Sequence, residues 1–478
     1  MGPDRGLPGL TALAVCVVLA GCAPAALRLP EAERATPAAY RNPAVPADLP
    51  RPATQWWREF ASGELDRLEE AALANNRDYR VAIARVAQAN AQARIAEAGI
   101  YPVIDAFARQ EQFAPEGGPG SVVEGGEFRT ANRVRLGLRA SYEADVWGKL
   151  GYAAESAIAL AAASVHNRES VALTLTTDVA LAYFEYLSTT ERMAIAERGV
   201  ASRRNSLAAI EKRMSGGDAT AMESAAQRVA LSIAETAMAT NAQRRERAFN
   251  RLALLTGVAP PELKLESRKL AGIPFPKTNP GLPAELLCRR PDIRRAEAQL
   301  LAAEFDVRSV RANLLPSFAL LAEGGLGARY LAGLTGANPI FYLLNATLAR
   351  TVFDAGRKEQ QLELSRARHL ELLEQYTGAL LTALREVEDA LIAVRVTEEA
   401  YAARTLAVSS TGGVYRLHER SLEAGAVDRL QLLDSEQRLY AAEDAVEEVL
   451  HERARAAIDL FKALGGGSRK PAGDTCTP

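Results

Sequence analysis

The sequence predicts a mainly α chain with a membrane β-barrel contribution, made of one unit copied twice, each copy carrying one β-hairpin and long coiled-coil helices. Three observations lead there: the chain aligns on itself, apolar residues recur every seven positions over long stretches, and a shorter stretch alternates with period two.

Residues 73–102 align without gaps on 287–316, placing Asp78 on Asp292, Ala82 on Ala296, Ala89 on Ala303 and Arg94 on Arg308. A second block, 142–257, aligns on 350–465 and brings Gly148 onto Gly356, Gly217 onto Gly425 and Gly257 onto Gly465. The two offsets, 214 and 208, leave six extra residues in the first copy between Pro102 and Tyr142. Gly117, Gly118, Gly120, Gly125 and Gly126 lie there and mark a loop insertion, which chains tolerate cheaply.

Helices account for most of each copy. Val179, Tyr186, Met193, Val200, Leu207 and Met214 form one apolar seam, and Val387, Val394, Tyr401, Val408, Tyr415 and Leu422 repeat it. Seven-residue spacing returns side chains to one face, as in coiled coils. A second set, Leu175, Ala182, Thr189 and Ala196, is smaller and more polar, which lets several helices lie side by side; a two-stranded coiled coil is the alternative. A helix from about 150 to 215 spans on the order of 100 Å, more than a compact globule needs. Helices over roughly 65–101 and 219–256 are half as long and stack end to end beside it, and the second copy repeats the plan over about 287–314, 356–423 and 428–464.

The period changes to two where Val134, Leu136, Leu138, Ala140 and Tyr142 alternate with Arg133, Arg135, Gly137, Arg139 and Ser141, the pattern of a strand with one wet face. The matching stretch 339–353 and the strands after Pro102 and Pro316 alternate less cleanly. Phe107, Phe113, Phe128, Phe318, Phe341, Tyr342 and Phe353 fall in these strands and are expected at the membrane interfaces. Four strands cannot close a barrel, and open edges are not tolerated in hydrocarbon. Three copies would supply twelve strands and a closed wall, with the helices continuing below as a tube.

At the N-terminus Arg5 precedes an apolar run, Leu7 to Ala20, too short for a spanning helix and typical of a signal peptide. The run ends in Leu19, Ala20, Gly21 and Cys22, which looks like a bacterial lipobox, so Cys22 is expected to carry diacylglycerol and an acyl chain such as palmitate. Ala23 in place of an inner-membrane retention aspartate points to a cell outer membrane address, lipid-anchored and extending into the periplasm. Cys288 and Cys476 remain, far apart, and imply no disulfide framework. A net charge of −2 over 478 residues excludes the basic field of a nucleic-acid binder. His166, His369, His418 and His451 are scattered along helices without a nucleophile elbow, phosphate loop or metal spacing, so no enzyme, metal site or cofactor is expected.

The chain resembles the outer-membrane factor family, the TolC-like and NodT-like outer-membrane lipoproteins of RND efflux systems. The residues that carry the resemblance are Gly281 to Arg294 (GLPAELLCRRPDIR) with Ala296 and Glu297, Trp56 and Trp57 with Arg58 and Phe60, Asn75 and Asn76, and Phe353 to Arg357. Ser62 and Gly63 stand where relatives often have Asp and Pro. Pro291 and Asp292 suit the first turn of a helix, so this motif is expected to position a helix start.

The resemblance implies a homotrimer, a 12-stranded β-barrel continued by a periplasmic α-helical barrel. It would serve as the passive exit duct of a tripartite system, with a periplasmic adaptor (membrane fusion protein), an inner-membrane RND-type pump and outer-membrane lipid as partners. A type I secretion duct and a periplasmic coiled-coil scaffold lipoprotein are the alternatives. The family's periplasmic gate maps onto Leu430, as an apolar constriction, and Asp434, as a carboxylate ring, where the first copy has Met222 and Ala226. The helix tips at Gly216, Gly217 and Gly425 are the expected adaptor-docking points. The division is then 1–21 signal peptide, 22–64 lipidated tether and equatorial segment, 65–257 first repeat with its hairpin at about 103–146, 258–286 equatorial linker, 287–465 second repeat with its hairpin at about 317–353, and 466–478 tail.

Overall fold

The computed structural model describes residues 37, 39–42, 53–113, 131–266, 269–336 and 339–467. The signal peptide, Cys22, Phe128, the glycine-rich insertion, Cys476 and most of the tail lie outside the described residues.

The first repeat runs α1 (Gly63–Asn75), α2 (Arg77–Ala98), β1 (Val103–Phe113), β2 (Ala131–Ala144), α3 (Lys149–Ser215) and α4 (Ala221–Thr256). The second runs α5 (Pro291–Ala312), β3 (Ser317–Ala328), β4 (Ile340–Ala349), α6 (Arg357–Glu423) and α7 (Arg429–Ala463). Both long helices, α3 and α6, have 67 residues. In each copy α3 or α6 is flanked by two half-length helices, α2 and α4 or α5 and α7, and α3 also packs along α5 and α7. A helix with so many neighbours belongs to a wall of helices, not to a two-stranded coil.

The continuous first helix expected over 65–101 is broken at Asn76. The break makes the joint at which half-helices stack. The Asn76 side chain accepts from Tyr79 N at 3.0 Å, capping α2, and donates to Leu255 O at 3.0 Å, near the end of α4. The second repeat does the same with different chemistry: Arg290 precedes α5 and donates through Nη1 to Ala463 O at 3.0 Å. Arg290 is buried, and its charge is met by Asp292 (2.6 Å) and Glu386 (2.7 Å). Burial alone would lower its pKa; the two carboxylates reverse this and raise it. The joint needs glycine just beyond each half-helix: Gly257 and Gly465 have φ of +72° and +85°, and a Cβ on either would sit 2.7 Å from the carbonyl of Asn75 or Arg289.

Around this equator lies the largest core, where Trp56 stacks on Phe461 at 5.2 Å and Phe60 meets Phe184 at 5.1 Å. Leu65, Tyr183, Leu187, Leu252 and Ile458 complete it. Ser62, the departure from the family pattern, is buried and caps α1 by accepting from Leu65 N. Cys288, for which the sequence implies no disulfide framework, is disulfide-bonded; sequence spacing alone does not show such pairing.

The four strands form one antiparallel sheet in the order β1-β2-β3-β4, so the two hairpins join through β2 and β3. Their register puts Ile104, Leu136, Leu138, Leu320, Leu326, Ile340, Tyr342, Leu344 and Leu348 on one face, all of them exposed. Of the strand aromatics, Phe318 and Tyr342 lie on that apolar face, whereas register places Phe107, Phe113 and Phe341 on the opposite face among arginines.

Candidate functional site

The features a duct needs occupy three levels of the molecule. At the top, β1 and β4 are the sheet's outer strands, each hydrogen-bonded on one side only among the described residues. Strands whose apolar side chains face outward suit hydrocarbon, but unpaired backbone groups do not, since each costs several kcal/mol there (roughly 2–7). The sheet is therefore incomplete as a single copy.

At the bottom, both helix pairs turn back over short loops. Gly217 (φ +86°) and Gly425 (φ +72°) adopt the left-handed conformation that ends α3 and α6. Gly216 does not: its φ is −87°, so its backbone makes no demand for glycine. Thr220 then caps α4 through a reciprocal bond with Glu223, and Asp428 caps α7 by accepting from Gln431 N at 2.7 Å. Both tips are exposed.

Just above the second tip, Leu430 and Asp434 lie one turn apart on α7, lining a cleft with His418, Asp428 and Gln431. Leu430 is half-buried, and Asp434 is exposed and paired with Arg438 at 2.9 Å. At the matching place in the first repeat, Met222 is 77 % exposed.

Between these levels a clasp absent from the sequence reading ties α7 to α3. Arg192 donates to both Asp444 oxygens (2.7 and 2.9 Å), and Arg198 reaches Glu443 at 2.7 Å while its guanidinium lies 5.0 Å from the Tyr440 ring centre. Glu436 accepts from Ser202 and, at 2.8 Å, from Tyr440. Burial and Glu436 push the Tyr440 phenol up. Ser188, Gly199 and Ser202 are small and buried, which lets α7 approach closely enough for Gln437 to donate to Gly199 O at 3.2 Å. Beside the clasp, one Glu447 oxygen is buried without a hydrogen bond. Burial first, then the Glu191 carboxylate, push its pKa up to about 7 against the opposing pull of Lys269. The partners of Arg192 and Asp444 stand 252 positions apart, so no local motif announces them.

No described helix is long and apolar enough to cross a membrane. No group of three or more metal-ligating side chains occurs among the described residues either.

Residues 68–258 and 282–466 match the family described as outer membrane efflux protein. The pyoverdine export outer membrane protein OpmQ of Pseudomonas aeruginosa is 34% identical over 463 residues, 96% of this chain and 97% of that protein. The outer membrane protein OprJ of the same organism is 32% identical over 480 residues, 96% of each chain. Among solved structures, the outer-membrane channel OprN superposes with a TM-score of 0.83 at 26% identity, covering 93% of this chain and 99% of that one. The open state of the Neisseria gonorrhoeae MtrE outer membrane channel superposes with a TM-score of 0.80 at 27% identity, covering 91% and 96%.

Proposed function

Since the chain belongs to the outer membrane efflux protein family and is an outer-membrane efflux channel, we propose that three copies form the exit duct of a tripartite pump, with a gate at α7. The observation that carries this reading is the four-stranded sheet with two open edges and an outward apolar face, set on helices of 67 residues. Pairing β1 of one copy with β4 of the next closes a twelve-stranded wall, and the helices continue it as a tube through the periplasm.

The duct is passive, and Cys22 carries the lipid that anchors each copy. The exposed tips at Gly216, Gly217 and Gly425 receive a periplasmic adaptor, which links the duct to an inner-membrane RND-type pump. Leu430 and Asp434 supply three apolar and three carboxylate groups near the axis, while Met222 and Ala226 belong to the pair that stays fixed. Three leucines exclude water from a narrow aperture, and three carboxylates favour cations.

Single-channel recording of the purified, lipidated protein tests this. Leu430→Ala combined with Asp434→Ala should raise the conductance of the resting state severalfold, and Met222→Ala should leave it unchanged. An unaltered resting state in the double variant removes these residues from the gate, and the absence of any pore removes the duct.

A further inference from the structure

The sheet face turned away from lipid lines the exit barrel of the proposed duct, and its charges are not evenly placed. From the outer end, Glu111 stands opposite Arg133, Arg109 opposite Arg135, Phe107 opposite Gly137 and Asp105 opposite Arg139. On the other side, Gly327 faces Arg135, Gly325 faces both Gly137 and Phe341, and Glu323 faces Arg139. The lower level is neutralised: Arg139 donates to Glu323 at 2.7 Å and has Asp105 across from it. The level above is not.

Arg109 and Arg135 are direct cross-strand neighbours, a like-charge pairing that costs a sheet stability. Arg109 reaches Glu111 at 3.2 Å. Arg135 makes no ion pair among the described residues; its guanidinium lies 5.0 Å from the centre of the Phe341 ring. Phe341 in turn meets Phe107 edge-on, centroids 6.4 Å apart. Behind the rings the sheet admits no side chain: a Cβ on Gly137 would lie 2.3 Å from Gly324 O, and one on Gly325 2.2 Å from Leu136 O. The wall here is bare backbone, bordered by aromatic rings and by the Arg135 guanidinium, which no carboxylate among the described residues neutralises. A cation held flat against an aromatic ring presents donors for an anion and a stacking surface for a planar group.

We propose that the exit barrel carries a station for planar aromatic anions, formed by Arg135, Arg109 and Phe341 and present three times in the trimer. It biases the last step of export toward anionic aromatic cargo, whereas the Asp434 ring at the far end favours cations. The station rests on the duct reading, since only a closed barrel turns this face into a lumen.

Titration calorimetry on the detergent-solubilised trimer tests the station with two probes of equal size, naphthalene-2-sulfonate and 2-naphthylmethylammonium. The sulfonate should bind at least about tenfold more tightly than the ammonium. Arg135→Gln should abolish that preference, Arg135→Lys should keep part of it, and Phe341→Leu should weaken the sulfonate severalfold, with the trimer band on gels confirming assembly of each variant. Equal binding of the two probes, or undiminished sulfonate binding by an assembled Arg135→Gln trimer, overturns the station. Failure of the duct reading looks different: the protein is then monomeric and forms no pores, whereas failure of the station alone leaves conducting trimers that do not discriminate.

Discussion

The long helix α3 and its copy α6 share a length of 67 residues and a common place in the repeat, yet they live in opposite surroundings. Along α3, Val179, Ala182, Tyr183, Phe184 and Leu187 are buried, and five helices pack against it. Along α6, Leu364, Leu370, Leu381, Leu406 and Leu417 are more than half exposed. Duplication supplied one architecture, and divergence of side chains made one helix the spine of the chain and left a row of leucines exposed on the other. The half-helices differ as well: both reach the core around the spine, α4 through Leu252 and α7 through Ile458 and Phe461, but α7 adds a polar clasp on α3.

Breaking the core that packs on the spine should have the largest effect. Trp56→Ala empties the stack on Phe461 and should cost about 3–5 kcal/mol. The matched change on the open helix, Leu406→Ala, removes a side chain 67% exposed and should shift stability by under about 0.5 kcal/mol. Thermal unfolding of both variants in detergent measures the contrast.

The two joints should separate next. Arg290→Ala leaves Asp292 and Glu386 without their buried partner, at about 3 kcal/mol, since breaking a buried ion pair exposes the penalty of the charges left behind. Asn76→Ala loses a neutral cap and one hydrogen bond, about 1–2 kcal/mol. Equal losses on chemical denaturation would show that the guanidinium does no more than the amide.

The clasp should respond to pH. The folded-state pKa of Glu447, about 7, stands above its ordinary value, so folding takes up a proton. The stability this group contributes is full below the ordinary carboxylate range and is lost as pH rises through about 7. The groups that set it are Glu191 and Arg192 on α3, Lys269 in the linker and Asp444 on α7. Glu447→Gln should raise the unfolding temperature at pH 8 and flatten its dependence on pH between 5 and 8. An unchanged slope would remove Glu447 as the sensor. A small effect is also expected from Arg438→Ala: its pair with Asp434 is exposed on both sides and should contribute under about 1 kcal/mol, seen as a near-silent melting curve.

Much of this fold was legible in the sequence, because the seven-residue seams, the period-two stretch and the self-alignment are each set by local geometry. Val179 and Val387, first in their seams, are both fully buried. The alternation in β2 named the apolar face that register carries across all four strands. The break at Asn76 was missed because an asparagine pair inside a helical pattern reads as mere weak propensity until Leu255 O arrives as its partner. The face taken by Phe107 and Phe341 was not legible, because residue type does not reveal which side of a strand a ring occupies; only registration with Arg135 and Arg139 does. The clasp was invisible for the same reason, since serine, glycine and glutamate acquire meaning only across the α3–α7 contact.

The central claim is that one copy cannot finish its own membrane wall. Native mass spectrometry of the lipidated protein released from detergent measures this most directly: the account predicts a complex of three chains with no stable monomer, and a monomer that nonetheless conducts in planar bilayers would contradict it.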